Sequence, residues 1–269
     1  MKPTLLSFLF LLFSALEVTC TDSGVNGFAS ANGGTTGGGS AVAVTVTTAA
    51  DLKEAAGTPG AKVIIHRQWY NRCQQHHISD QQQDHNRCRR NRHPLSHVWY
   101  DHLAIRDASD GLLDITLQSD YHTVSWCKFW YTNSSLPHRL ANLHIQERMP
   151  RVMCGGAHIY NNYHTFWGNN YAIGFGSYGS VAILNNYFNG TQDPHRFLHD
   201  VYADGETEGS IYDGTIGVRD EGKKGSRDVA GQEGSRYRPV TTPYAYALDA
   251  AEAVPELVRA CAGPRASSV

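Results

Sequence analysis

Alternating apolar and polar positions predict short strands near the start of the chain. Ala41–Thr48 (AVAVTVTT) alternates as a strand does, Ala49–Ala56 is typical of a short helix, and Ala61–Ile65 (AKVII) predicts a second strand. Residues 21–40 before them are rich in Gly, Ser and Thr, with too little apolar content to pack alone. We therefore expect an irregular lead-in followed by a strand, a helix and a strand.

A repeat of β-rich, aromatic segments dominates the middle of the chain. The segments are His97–Leu103 (HVWYDHL), Thr123–Phe129 (TVSWCKF), Ala157–Tyr163 (AHIYNNY) and Val181–Tyr187 (VAILNNY). Most are separated by roughly 22 to 27 residues, about one coil of a parallel β-solenoid. The Asn-Asn pairs at 161–162 and 185–186 recur at this spacing and predict stacked, hydrogen-bonded side chains. A β-sandwich with repeated Asn turns remains an alternative, because strand runs alone do not fix their pairing.

The C-terminal third changes in character. Gly205–Pro243 is glycine-rich and charged, which predicts a long surface loop. Asp249 with Glu252 forms a capping box before a helix over Ala250–Ala262, and Gly263-Pro264 ends it. We expect this short helix to cover an end of the solenoid.

The N-terminus has the layout of a secretory signal peptide. Lys2 precedes an apolar run over Leu5–Leu16, and small and polar residues follow. The run is too short to span a bilayer, so we expect cleavage near residue 20 and a secreted, extracellular protein without a membrane partner. A buried N-terminal helix is the alternative. Residues 41–269 are then one domain.

The composition is typical of a globular protein that does not bind nucleic acid. The chain has 269 residues, 41% of them hydrophobic, and a net charge of −2, so we expect a real core and no nucleic-acid partner. Of six cysteines, Cys20 leaves with the signal peptide, and the remaining odd number implies an unpaired thiol. Two N-glycosylation sequons begin at Asn133 and Asn189.

An ordered set of motifs resembles one enzyme family. The set comprises Trp99–His102 (WYDH), Asp110–Thr116 (DGLLDIT), Ser119–Phe129, Glu147–Val152 (ERMPRV) and Gly155–Tyr163 (GGAHIYNNY). Together they resemble the WxDH strand, calcium-binding coil and RxPxxR catalytic strand of pectate lyases of polysaccharide lyase family 1. The resemblance implies an all-β fold, a right-handed parallel β-helix with a short C-terminal helix, incomplete in this chain.

The same resemblance implies a site. Asp110 and Asp114 match the family's calcium ligands, and carboxylate oxygens suit that cation. Arg148 matches the catalytic arginine that acts at the C5 proton, and Arg151 with Arg139 and His138 matches substrate-contacting positions. Because arginine is protonated at working pH, stabilising an enolate is an easier role for Arg148 than accepting a proton. Solvated turn aspartates and a surface salt-bridge arginine are the alternatives.

The chain departs from the family pattern in three places. Met153 replaces the second arginine of RxPxxR, which removes a carboxylate-binding donor. Only three residues separate Leu143 from Glu147, where relatives have a whole coil, and no DGD-like acidic loop precedes WYDH. We therefore expect a β-helix with part of its site missing.

A block rich in Gln, His and Arg, residues 66–93, interrupts the strand pattern. Its Cys73, His76, His77, His85 and Cys88 could ligate zinc, but their spacing fits no standard structural site. Codons can be chosen that encode this block and that, when translated one base later, give a sequence containing SNKTIIG. That sequence resembles an early strand of the family. We interpret residues 66–96 as a frame-shifted segment, with zinc ligation or a polar insert as alternatives.

These observations predict a secreted, monomeric pectate lyase that cleaves polygalacturonate by calcium-dependent β-elimination. A pectin lyase acting on methylated pectin without calcium is a near rival, and the aspartate pair argues against it. A catalytically dead β-helix protein is the rival from another class, favoured by Met153 and the absent segments.

Overall fold

A computed structural model describes residues 27–35, 40–58, 63–66, 96–106, 111–116, 119–131, 147–166, 168–199, 202–225 and 244–263. The signal peptide and nearly all of the 66–96 block lie outside these residues. No helix in the described ranges is long and apolar enough to cross a membrane.

The predicted N-terminal elements are confirmed with slightly different bounds. β1 (Val44–Val46) pairs in parallel with β2 (Ile64–His66), and helix α1 (Ala49–Gly57) connects them. A capping box fixes the start of α1, since Thr48 accepts from the Asp51 backbone and Asp51 from that of Thr48. The lead-in packs more than expected: a 3-10 helix over Phe28–Gly33 buries Phe28 completely.

Three sheets form the body of the protein. Sheet 1 contains β3 (Val98–Asp101), β6 (His122–Ser125), β9 (Gly156–Tyr160), β12 (Ser180–Leu184), β15 (Ala203–Glu208) and β17 (Gly222–Lys224). Sheet 2 contains β4 (Ala104–Arg106), β7 (Lys128–Trp130), β10 (Tyr163–Thr165), β13 (Tyr187–Asn189) and β16 (Ile211–Asp213). Sheet 3 contains β5 (Asp114–Ile115), β8 (Arg151–Met153), β11 (Ile173–Gly176) and β14 (His195–Leu198).

Successive strands along the chain visit the three sheets in turn, and neighbouring coils pair in parallel. This topology confirms the parallel β-solenoid and rules out the sandwich. The register has the expected length, since Ala157 pairs with Val181, 24 positions later. The coil between β6 and β9 is longer because it contains residues 132–146, yet β6 pairs directly with β9 and β7 with β10. The strand ladder is therefore continuous across this segment.

The Asn-Asn pairs stack as predicted, and their two members differ in role. Asn162 Nδ2 donates to Asn186 Oδ1 at 3.0 Å and to the Val124 carbonyl at 2.9 Å, so these side chains form an asparagine ladder inside the turn between sheets 1 and 2. The first members, Asn161 and Asn185, have positive φ and reach outwards to backbone carbonyls of the C-terminal segment. In each pair, the second asparagine thus stabilises the coil and the first binds the C-terminal segment.

Cys127 occupies the ladder position one coil earlier. Its thiol lies 3.2 Å from the Ser125 carbonyl and 3.5 Å from the Tyr100 carbonyl, the same pattern that the asparagines make, and its backbone N–H donates to Asn162 Oδ1. Cys127 is a free buried cysteine, whereas Cys154 and Cys261 are disulfide-bonded. Burial raises the pKa of the Cys127 thiol, so it stays protonated and can donate.

The interior of sheet 2 is a column of stacked rings. Phe129, His164, Phe188 and Tyr212 stand on successive coils, with centroids 4.6 to 5.3 Å apart and planes within 12° of parallel. His164 is fully buried, and neither ring nitrogen has a hydrogen-bond partner. Burial lowers the pKa of His164 to about 3, so the ring packs as a neutral aromatic.

The C-terminal helix is confirmed, but its predicted start and position are wrong. Helix α2 (Val254–Cys261) begins four residues after Ala250, with Pro255 in its first turn. Asp249 does not cap it, because its carboxylate accepts from Trp126 Nε1 at 2.7 Å. Val254 and Val258 pack on Tyr160, Tyr163 and Leu184, which places α2 against the outer side of the sheets.

The surface loop predicted over Gly205–Pro243 is also wrong in its first part. β15 pairs with β12, β16 with β13, and β17 returns antiparallel along β15. The charged residues of β15 misled the prediction because they lie at the end of the solenoid. Gly205 belongs to the inward row, where an added Cβ would meet the Phe175 ring.

Candidate active site

The segment Glu147–Pro150 and the adjoining strands of sheet 3 position a charged cluster. Leu113 N–H donates to the Arg148 carbonyl at 2.9 Å, and Arg151 N–H donates to the Leu113 carbonyl at 2.9 Å. Arg148 has φ of 63°, a left-handed conformation that is costly for a residue with a side chain. Its side chain crosses Gly111, where an added Cβ would collide with it. DGLLDIT and ERMPRV therefore meet as the resemblance implies.

The charged cluster consists of Asp114, Glu147, Arg148 and Arg151. Arg148 Nη1 lies 3.3 Å from Asp114 Oδ2, and Arg148 Nε lies 3.2 Å from Glu147 Oε1. Arg151 Nε lies 2.6 Å from Asp114 Oδ1, without the alignment of a hydrogen bond. Asp114 is 36% exposed and Arg148 is 18% exposed, so solvent reaches the cluster.

Asn170 and Tyr171 lie next to the charged cluster. Asn170 Nδ2 donates to the second oxygen of Glu147 at 2.7 Å, which fixes that carboxylate against Arg148. Burial, with a further contribution from Glu147, raises the pKa of Tyr171. Tyr171 therefore remains a neutral phenol beside the cluster. Neither residue was predicted, and the only sequence signal is that both stand one coil after Glu147 and Arg148.

The row through the cluster continues along sheet 3. Asp114 is in register with Arg151, Arg151 with Gly174, and Gly174 with Arg196. An added Cβ at Gly174 would lie 2.5 Å from the Tyr171 ring. The position between Arg151 and Arg196 in this row therefore carries no side chain. The result is a surface with guanidinium groups two strands apart, about 10 Å at the usual strand spacing.

The described residues do not by themselves form a calcium site. Asp110 lies outside them, and both oxygens of Asp114 face guanidinium groups. No group of three His, Cys, Asp or Glu side chains in the described ranges is arranged to hold a metal ion. A cation at Asp114 would have to displace Arg148 or Arg151, because their charges repel it.

The other predicted residues fall into three groups. Arg139 and His138 lie outside the described residues. Met153 packs against the cluster of Cys154, Tyr178 and Tyr202, so its position serves the packing of sheet 3. The WYDH motif lies on a different sheet: Trp99 Nε1 donates to Ser125 Oγ, which donates to Asp101, and Asp101 pairs with His102.

Comparison with known proteins supports the resemblance over part of the chain. No protein-family model matches. Pectate lyase 1 of Ambrosia artemisiifolia is 37% identical over 111 residues, which cover 35% of this chain and 28% of that protein. The pectate trisaccharide-lyase of Thermotoga sp. (strain RQ2) is 30% identical over 89 residues, or 26% of this chain and 24% of that protein. The chain thus spans about a quarter of the length of these relatives.

Solved structures of pectate lyases show a distant likeness to this chain. Pectate lyase II from Xanthomonas campestris covers 90% of this chain and 98% of its own, at 17% identity and a TM-score of 0.43. The strand pairings described above, and not this likeness, establish the fold. Over about a third of its length, the chain is therefore similar in sequence to pectate lyases.

Proposed function

We propose that this protein is a pectate lyase that cleaves polygalacturonate by β-elimination at the charged cluster. One observation carries the proposal: Arg148, Arg151 and Asp114 come together from two motifs that are separate in sequence. The printed names of the relatives, pectate lyase and pectate trisaccharide-lyase, support the same substrate class.

In the proposed reaction, a uronate carboxylate takes over the contacts that Asp114 makes with Arg148 and Arg151 in the free protein. Exchange is feasible because half-exposed ion pairs contribute little net stability. Loss of the C5 proton to solvent base leaves negative charge on the carboxyl group and C5, which the Arg148 guanidinium stabilises. The C4–O4 bond then breaks, O4 takes a proton from solvent water, and the electron pair at C5 forms the C4–C5 double bond.

Arg148 acts here by stabilising charge. Two carboxylates within 3.3 Å of the guanidinium favour its protonated form, and an arginine retains its proton at any working pH. Arg151 binds the uronate, and we extend the same role to His138 and Arg139 from the resemblance. Asn170 holds Glu147 on Arg148 Nε, so Arg148 Nη1, which pairs with Asp114 in the free protein, is the donor left for the uronate.

Calcium belongs to the proposal through Asp110 and Asp114. Calcium bound to carboxylates would neutralise uronate charge, and the acidic pair in DGLLDIT supports this role. Because Asp114 faces two arginines, we expect calcium to bind only weakly without substrate. Calorimetric titration of the free protein, compared with Asp114→Asn, measures this directly.

The test of the reaction is a matched pair of variants. Arg148→Lys retains the charge but loses the planar fork, so we expect product absorbance from polygalacturonate to fall at least about 100-fold, as when one preorganised donor is removed. Lys53→Arg, on the exposed face of α1, is the control and should be unchanged. A variant Arg148→Lys that keeps most of the rate would refute the assignment.

A catalytically dead protein is the second candidate. Both oxygens of Asp114 are already engaged, and Met153 supplies no guanidinium to the cluster. In that case oligogalacturonate would bind without being cleaved, with or without added calcium. Methylated pectin cleaved faster than polygalacturonate would instead favour a pectin lyase.

We further propose that residues 1–20 are removed and that the rest is secreted as one monomeric domain. The apolar run over Leu5–Leu16 supports secretion, and the continuous ladder of strands supports a single domain. N-terminal sequencing of protein from culture medium and its sedimentation velocity test both points.

A further inference from the structure

The outer face of sheet 2 carries a second group of charged side chains. Strand alternation turns Phe129, His164 and Phe188 inwards, so their neighbours face outwards. The outward residues here are Lys128 and Trp130 on β7, Tyr163 on β10 and Tyr187 on β13, with Arg259 of α2 beside them. We call these five residues the cationic patch.

Cations and rings are interleaved in this patch. Lys128 Nζ lies 4.4 Å from the centroid of the Trp130 ring. The Arg259 guanidinium lies 4.8 Å from the centroid of Tyr163, and its Nη2 donates to the Tyr163 hydroxyl at 2.8 Å. Each cation therefore has a fixed position over an aromatic face.

The patch differs from the charged cluster in its balance of charge. Within the described part of the chain, neither Lys128 nor Arg259 makes an ion pair. Burial lowers the pKa of Lys128, and the charges of Arg259 and Arg106 lower it further. Positive charges at this position repel one another, and a bound anion would relieve that repulsion.

A structural role accounts for only part of this arrangement. Arg259 holds α2 against Tyr163, which explains its own placement. It does not explain Lys128, which lies on the strand next to Tyr163 and adds a second charge to the same face. A neutral residue at 128 would pack on Trp130 without the repulsion.

We propose that the cationic patch is a second binding site, for the carboxylates of an acidic polysaccharide. Tyr163, against which Arg259 packs, lies on the strand next to that of Lys128, so the two cations are offset by about 4.8 Å and can meet successive anions of a regular polymer. The Tyr187 ring, one strand further on, is partly exposed and offers apolar surface to a sugar ring, while its hydroxyl donates to Asp213. The choice of polygalacturonate among acidic polymers rests on the proposed function.

The experiment is affinity electrophoresis in native gels that contain polygalacturonate, with Arg148→Lys as background so that the polymer is not cleaved. Lys128→Glu should weaken retardation about tenfold, as for the loss of one charged contact worth about 1.4 kcal/mol. Lys53→Glu makes the same charge change on α1 and is the matched control. Lys128→Gln, which keeps the packing on Trp130, confirms the effect if Lys128→Glu melts at a lower temperature.

The outcomes separate this site from the proposed reaction. Equal retardation of the Lys128 and Lys53 variants would show that the cationic patch is not a binding site, even if the wild type cleaves the polymer. Binding that depends on Lys128 in a protein that never cleaves would overturn the reaction alone. Stronger retardation by single-stranded DNA of equal charge would overturn the assignment to a polysaccharide.

Discussion

The asparagine ladder and the charged cluster are both polar, but their surroundings differ. Asn162 and Asn186 are fully buried, uncharged and hydrogen-bonded to fixed backbone groups. Asp114 and Arg148 are partly exposed, and a long hydrogen-bonded ion pair of 3.3 Å joins them. Buried polar groups therefore specify the coil, whereas the partly exposed ion pairs can exchange partners. Stability and binding should therefore respond to different substitutions.

Low pH should have the largest effect on the unfolding free energy, because buried histidines cannot carry a charge in the folded protein. Burial lowers the pKa of His158 and of His164 to about 3, below the ordinary 6.5. The folded form therefore binds fewer protons than the unfolded chain between these values, and stability falls as pH drops below about 6.5. Each histidine contributes a slope of about 1.4 kcal/mol per pH unit.

Urea unfolding of the wild type and His164→Phe at pH 7, 6 and 5 measures this slope. His164→Phe keeps the ring stack between Phe129 and Phe188, so it should remove only the contribution of His164, a slope of about 1.4 kcal/mol per pH unit. Equal slopes in the two proteins would show that His164 is protonated, or solvated, in the fold.

Substitution in the ladder should have the next largest effect. Asn162→Ala leaves the Cys127 N–H and the carbonyls of Val124 and Tyr160 without this partner, so we expect a loss of about 3 kcal/mol in unfolding free energy. Asn185→Ala removes one outer bond, to Asp249, and should cost about 1 kcal/mol. Comparable losses would mean that the two positions are equivalent.

Neutralising the charged cluster should barely change stability. Asp114→Asn breaks two ion pairs, but the carboxylate is 36% exposed, so the unfolding free energy should change by less than about 1 kcal/mol. The binding of galacturonate oligomers, followed by calorimetry, should change more. A loss of stability as large as that of Asn162→Ala would make Asp114 a structural residue.

Much of the fold was predictable from sequence because the solenoid repeats. The 24-residue spacing and the Asn-Asn pairs already indicate parallel coils, and both appear in the register. The β15–β17 region was missed because its strands carry charged residues at the solenoid end and depend on β12 as a template. Such pairing with a strand distant in sequence cannot be predicted from local composition.

The site was only partly predictable. The resemblance assigned Asp114 and Arg148 to one site, but their direct pairing, and the contacts of Asn170 and Tyr171, depend on which coils are adjacent. The predicted start of the C-terminal helix was wrong for a similar reason. Asp249 looks like a cap in sequence, yet a tryptophan 123 positions earlier takes its carboxylate.

The antiparallel return of β17 has a consequence for the solenoid's solubility. A parallel coil with an open edge is a template on which another chain can add its own strand. β17 covers Ala203–Gly205 with a strand of reversed direction that contains Lys223 and Lys224, and Glu206 and Glu208 follow on the same edge. Because charged side chains and a reversed strand make this edge a poor template for a further parallel strand, we expect this short hairpin to limit end-to-end polymerisation.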